Sequence, residues 1–135
     1  MAVVDSGALY AAVDLDDAAH HACVAVFRQP GMQFVYPTLV IGEVSYLVER
    51  RLGPGAEAAF LRSVAPLDLE APTPVDWVRM ADLVAQYRDF PLGAVDASVT
   101  ALAERLGVTT VLTLDRRHFA VIRPAHVKAF NLLPE

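Results

Sequence analysis

Apolar positions along this chain follow two alternating patterns. Residues 2–5 (AVVD) and 33–37 (QFVYP) are short apolar runs suited to buried strands. Residues 108–114 (VTTVLTL) are rich in β-branched residues and read as a further strand. Between these runs the spacing becomes helical. In TLVIGEVSYLVERRL (38–52) apolar residues recur at 40, 41, 44, 47 and 48. Helices are also expected over 6–13, from an Asp16 or Asp17 cap to about Arg28, over 56–65, over 73–89 and over 94–107. GPG (53–55) ends the 38–52 helix, FPLG (90–93) breaks the chain before the last long one, and Gly107 closes that one. The segments 66–72, 119–124 and 127–133 are read as extended. In the 73–89 helix, Val75, Val78, Met80, Ala81, Leu83 and Val84 fall on or near one face, and Trp77 is read as a core residue.

Strands alternating with helices predict an α/β fold, a mainly parallel sheet covered on both faces, in one domain over residues 1–135. A chain of this size with 55% hydrophobic residues can bury a core without covalent staples. Cys23 is the lone cysteine, so no intrachain disulfide can form, and it reads as a small core residue. No basic leader precedes the first strand, and no uncharged apolar stretch is long enough to span a bilayer. A cytoplasmic protein, with no membrane partner, is the expectation. The net charge of −5 argues against a general affinity for nucleic acid. Ten of the eleven basic residues are arginine, the side chain best shaped for phosphate, although a GC-rich coding bias accounts for the count equally well. His20 and His21 are adjacent and read as a solvated patch.

Acids in apolar company carry the chemistry. Asp5 ends the first strand and Asp115 ends the 108–114 strand, so a parallel sheet brings both to the edge where such sheets hold ligands. Glu43 has Val40 three residues before it and Leu47 four after, a spacing that predicts a place on the helix's apolar face. Asp96 repeats the pattern, with Val99 and Ala103 following. Each acid also has a structural reading. Asp5 could cap the next helix, Asp96 could favour a helix's first turn, Asp115 could open a turn, and Glu43 could pair with a buried arginine. Taken together, four carboxylates in one cleft repel unless a cation neutralises them. A hard divalent ion, Mg²⁺ or Mn²⁺, suits an oxygen donor set, and no His or Cys cluster suggests zinc. Such a site suits phosphodiester hydrolysis.

Four motifs then carry a resemblance: VVDSGALYA at the start, GEVSYLV around Glu43, LGAVDASVTALAERLG around Asp96, and VLTLDRRHF around Asp115. In this order and spacing they resemble the PIN-domain ribonucleases, and within these the VapC-type toxins of VapBC toxin–antitoxin pairs. The resemblance implies a PIN-like α/β/α fold and an acidic centre of Asp5, Glu43, Asp96 and Asp115 that binds Mg²⁺ or Mn²⁺ and hydrolyses RNA. It also implies a small polar residue among the acids. Ser6 follows Asp5, and Thr113 is expected to orient Asp115. A VapB-type antitoxin, a homodimer and a toxin–antitoxin hetero-oligomer are implied in the same way. Arg116 and Arg117 follow Asp115 and are expected to hold RNA phosphate from the cleft's rim. Asp89 and Ser98 are left outside the set. Two other readings stand beside this one. A Mg²⁺-binding phospho-acceptor receiver domain would need Lys128 near the end of a late strand, and a PIN-like module could bind RNA or protein without cutting.

Overall fold

The structure is a computed structural model that describes residues 1–135. Its elements, in chain order, are β1 (Ala2–Val4), α1 (Ser6–Val13), α2 (His20–Phe27), β2 (Phe34–Pro37), α3 (Thr38–Leu52), α4 (Pro54–Val64), β3 (Leu69–Glu70), α5 (Pro74–Gln86), α6 (Ala94–Leu106), β4 (Thr110–Leu112), α7 (Arg116–Val121) and β5 (Asn131–Leu133). The strands form one parallel sheet in the order β3-β2-β1-β4-β5, flanked by helices. α1 packs on α2 and α3, α3 on α4, and α5 on α6. No helix is long and apolar enough to cross a membrane.

The central strand explains why the opening run is so apolar. Ala2, Val3 and Val4 are fully buried, flanked by β2 and β4 and covered by helices. Strands buried on both faces need continuous rather than alternating apolar residues. Cys23 lies in the same core, where burial raises its thiol pKa. After β1 the chain builds outward to β2 and β3, then crosses back to β4 and β5 on the other side. The order therefore reverses between β1 and β4, the place where open parallel sheets form a crevice.

Several expectations need correction. Residues 119–124 are not a strand, because α7 runs from Arg116 to Val121 with Asp115 as its N-cap. Of 127–133, only Asn131–Leu133 is strand. α2 begins at His20, and the Asp17 carboxylate accepts from the Ala19 N–H in the turn before it rather than capping the helix. The histidine pair is split. His21 is exposed, whereas His20 is buried and donates from Nδ1 to the Ala11 carbonyl at 2.8 Å. α5 buries only Asp76, Met80 and Leu83. Val75, Trp77, Val78 and Val84 face outward, Trp77 with 51% of its surface exposed, so Trp77 is not a core residue. Apolar side chains ring α5, so their spacing marks the helix without settling which side packs.

α5 is fixed by charge as well as packing. Asp76 and Thr73 form a reciprocal capping box, and the Asp76 carboxylate also accepts from Arg105 Nε of α6 at 2.8 Å. Burial alone would raise the Asp76 pKa, but the Thr73 N–H and the Arg105 guanidinium outweigh it and hold it below the ordinary 3.8. Its stabilising effect is therefore complete above the ordinary value and fades as pH falls through the folded-state value. Asp76→Asn should destabilise the chain at neutral pH by about 1–3 kcal/mol, the scale of a charged hydrogen bond. In urea unfolding the gap from wild type should narrow as pH falls below the ordinary 3.8. A gap of constant size across that range would show that the ion pair is not its source.

Candidate functional site

Register builds the centre. β1 and β4 pair Val4 with Leu112, so the next residues on each strand, Asp5 and Thr113, emerge side by side. The Asp5 carboxylate is buried, only 4% exposed, and accepts from Thr113 Oγ1 at 2.7 Å. Asp5 has the backbone angles of an N-cap for α1, yet its side chain makes no capping bond. The carboxylate therefore points at the cleft rather than down the helix. Thr113 is fully buried, and its Oγ1 also accepts the Asp115 N–H at 2.9 Å. It holds both strand-end acids, not Asp115 alone.

Glu43 reaches the same place from α3, by a different geometry from the one its spacing suggests. The core face of α3 is Val40, Ile41, Val44 and Val48. At about 100° per residue, Glu43 lies about 115° from the middle of that face. It is exposed, opening onto the cleft, where Oε2 accepts from Ser6 Oγ at 3.0 Å. No arginine pairs with it. Asp96 comes from the first turn of α6, which the Gly93 N-cap opens without a side-chain bond. Asp115 serves two ends at once, since its Oδ1 caps α7 at the His118 N–H and its other oxygen faces the His118 ring.

Asp5, Ser6, Gly7, Glu43, Asp96, Leu114 and Asp115 line one open cleft of about 450 Å³. Its electrostatics follow from this crowding. Burial raises the Asp5 pKa and the Glu43 and Asp115 charges add to the rise, while the Thr113 hydroxyl and the Ser6 N–H oppose it. Burial, and then the Asp5 and Asp115 charges, push Asp96 up to about 7, against the pull of His118.

His118 is the residue that sequence reasoning missed. Its Nδ1 bonds an Asp115 oxygen and lies 3.6 Å from Asp96 Oδ2. Ligand atoms of Asp96, Asp115 and His118 all lie within 4.8 Å of one another. One signal was available: His118 stands three residues after Asp115, one turn along a helix that the sequence reading took for a turn and a strand. Ser98 is buried and donates to its own helix at Val95, and Asp89 is an exposed loop charge, so neither joins the cleft. Arg116 turns away, its guanidinium donating to the Pro134 carbonyl at 2.8 Å, while Arg117 lies over the Phe90 ring. Lys128 precedes β5, at the end of the sheet opposite the acids, which removes the residue a receiver domain would need.

An α/β protein with an acidic centre at the switch point of a parallel sheet is the class these features define. The PIN domain family matches residues 2–123. The chain is 34% identical to ribonuclease VapC26 of Mycobacterium tuberculosis over 134 residues, 98% of this chain and 99% of that one. It therefore belongs to the PIN-domain family, in its VapC branch. Among solved structures, the fold is similar to M. tuberculosis VapC20, described as a sarcin–ricin loop cleaving toxin. The TM-score is 0.78 at 19% identity, covering 95% of this chain and 99% of that one. A toxin–antitoxin complex from Klebsiella pneumoniae gives a TM-score of 0.66 at 20% identity, covering 90% and 92%.

The donor set fits a hard divalent cation. Several carboxylates face one opening, and burial together with the charges of Asp5 and Asp115 raises Asp96 to about 7, a state that a bound cation would relieve. Without metal, the sign of the Asp96 shift gives a prediction. A carboxyl whose folded pKa exceeds its ordinary value stabilises the fold below that ordinary value and loses the effect as pH rises through the folded one. In chelator the wild type should lose stability between the ordinary 3.8 and about 7, and Asp96→Asn should lose much less over that interval. Thermal melts at stepped pH check this. A variant whose melting point follows the wild-type curve throughout would remove Asp96 from the repelling set.

Proposed function

We propose that this chain is a metal-dependent endoribonuclease of the VapC type, folded as one domain over residues 1–135, with Asp5, Glu43, Asp96 and Asp115 as the centre that holds Mg²⁺ or Mn²⁺. The observation that carries the reading is the convergence of four acids from four separate elements on one solvent-open cleft. When bound, the cation supplies a water of lowered pKa and stabilises charge on the phosphate under attack. The chain's own residues keep the donors in place. Thr113 fixes one oxygen of Asp5, Ser6 bridges Asp5 and Glu43, and His118 steers Asp115. A cation bound there would displace the Asp96 proton into solvent, since that carboxyl is raised only to about 7. Family membership and 34% identity to a named ribonuclease support RNA as the substrate.

RNA cleavage should require Mg²⁺ or Mn²⁺, stop with chelator and fall at least about 100-fold in Asp5→Asn, since the amide keeps the shape and loses the charge. Incubation of labelled RNA with each protein, with and without metal, reads this directly. Cleavage at the wild-type rate by Asp5→Asn in chelator would end the mechanism.

A VapB-type antitoxin is the proposed partner, with a homodimer and a toxin–antitoxin hetero-oligomer as the assemblies. Solved relatives that are toxin–antitoxin complexes support this. So does the solvent-facing apolar surface of α3 and α4, where Tyr46, Leu52 and Leu61 are exposed. Expression of the chain alone in its host should arrest growth, and co-expression of the neighbouring gene should restore it. Unimpaired growth with abundant, active protein would remove the toxin role and leave the nuclease.

A further inference from the structure

The acidic centre has an affinity problem that its own lining does not solve. Of the seven lining residues, none is basic and Leu114 alone is a large apolar one. RNA is a polyanion, so contacts that hold it must come from the rim. One side of the rim is built for this. The chain from Asp115 into α7 carries His118 back onto the acids, and the Phe90 ring meets His118 at 4.8 Å between centroids, near edge-on. The Arg117 guanidinium lies over the Phe90 ring, 5.4 Å from its centroid. Acid, imidazole, aromatic ring and guanidinium thus follow one another in a chain of contacts.

Phe90 lies outside the hydrophobic core. Of the six phenylalanines, Phe60, Phe119 and Phe130 belong to the core, and Phe27 and Phe34 pack against it. Phe90 alone does neither. It stands in the turn between α5 and α6, where its N–H donates to Tyr87 and the next residues are Pro91 and the buried Leu92. The same turn leads into α6 and Asp96, so ring and acid are fixed together. Arg117 is exposed and no carboxylate pairs with it. A guanidinium resting on a ring is oriented by the ring's face and keeps its N–H donors free for phosphate.

We infer that Phe90 and Arg117 form a nucleotide seat beside the acidic centre, Phe90 taking the base of a nucleotide next to the cleaved bond and Arg117 its phosphate. The inference rests on the ribonuclease reading above and adds the residues that hold the substrate. Stacking accepts any base with an exposed face, so the seat selects unpaired nucleotides, in single strands or loops, over duplex.

Binding of fluorescent single-stranded oligoribonucleotides, measured by anisotropy in chelator so that nothing is cut, tests the seat apart from the chemistry. The probes are short single strands of mixed sequence in which each nucleotide in turn is intact or abasic. Phe90→Leu keeps apolar bulk and removes the aromatic face, and Phe90→Trp keeps the face. Phe90→Leu should weaken binding of intact probe about 5- to 150-fold, the range for one stacked base. It should leave one abasic probe unchanged, and Phe90→Trp should restore affinity. Arg117→Ala should make the log–log salt dependence shallower by about 0.7, one phosphate contact on a single strand. Equal affinity of wild type and Phe90→Leu for every intact probe, an unchanged salt slope, or no binding by the wild type would overturn the seat. Wild type that binds as expected yet cuts no RNA with Mg²⁺ or Mn²⁺ would overturn the ribonuclease reading and leave the seat standing.

Discussion

Asp5 is a carboxylate placed where the central strand of the sheet ends, with almost none of its surface in water. Charge in that position is costly unless hydrogen bonds replace the lost hydration. The replacement is available because β1 and β4 are neighbours in matched register, which puts the Thr113 hydroxyl beside it. The rest of the centre follows from that pairing. Thr113 also fixes the backbone at Asp115, Asp115 starts α7, and α7 returns His118 to the cleft. A single strand pairing thus sets the positions of two acids, one hydroxyl and one imidazole.

Placing these groups together works against folding and explains why the site breaks local rules. Burial, with the charges of Asp5 and Asp115 held close by, pushes Asp96 up to about 7. Elsewhere acids are arranged to stabilise. Asp76 caps α5 and meets Arg105, and Glu104 accepts from Nε and Nη2 of Arg79 and from the Ala125 N–H. The same residue types satisfy partners at one end of the molecule and repel one another at the other. Such a contrast marks a site kept for its chemistry.

Much of this was legible in the sequence because it depends on neighbours along the chain. Apolar runs gave β1, β2 and β4, and the acid that closes β1 and the one that follows β4 fell on one edge once the sheet was parallel. Glu43 was singled out for its apolar neighbours, but three- and four-residue spacings could not tell the core face of α3 from its flank. What stayed hidden depends on contacts between distant segments. His118 and Phe90 lie 28 residues apart, and only the folded chain shows their rings touching. The short apolar run of α7, FAVI, fits a strand as well as a helix, and the Asp115 cap decides for the helix. Trp77 looked like core on composition alone, whereas Met80 and Leu83 already fill the α5–α6 contact.

Arg116 has a consequence of a different kind. β5 is an edge strand, bonded to β4 through Asn131 and Leu133, so alternation turns the Leu132 and Pro134 carbonyls towards the open side. Arg116 donates to both of these carbonyls, and Pro134 offers no N–H at all. The outer margin of the sheet therefore lacks a free ladder onto which another chain could be knitted. The opposite margin, β3, is two residues long. With both margins blunted, neither edge of the sheet offers a long free strand to a neighbouring chain.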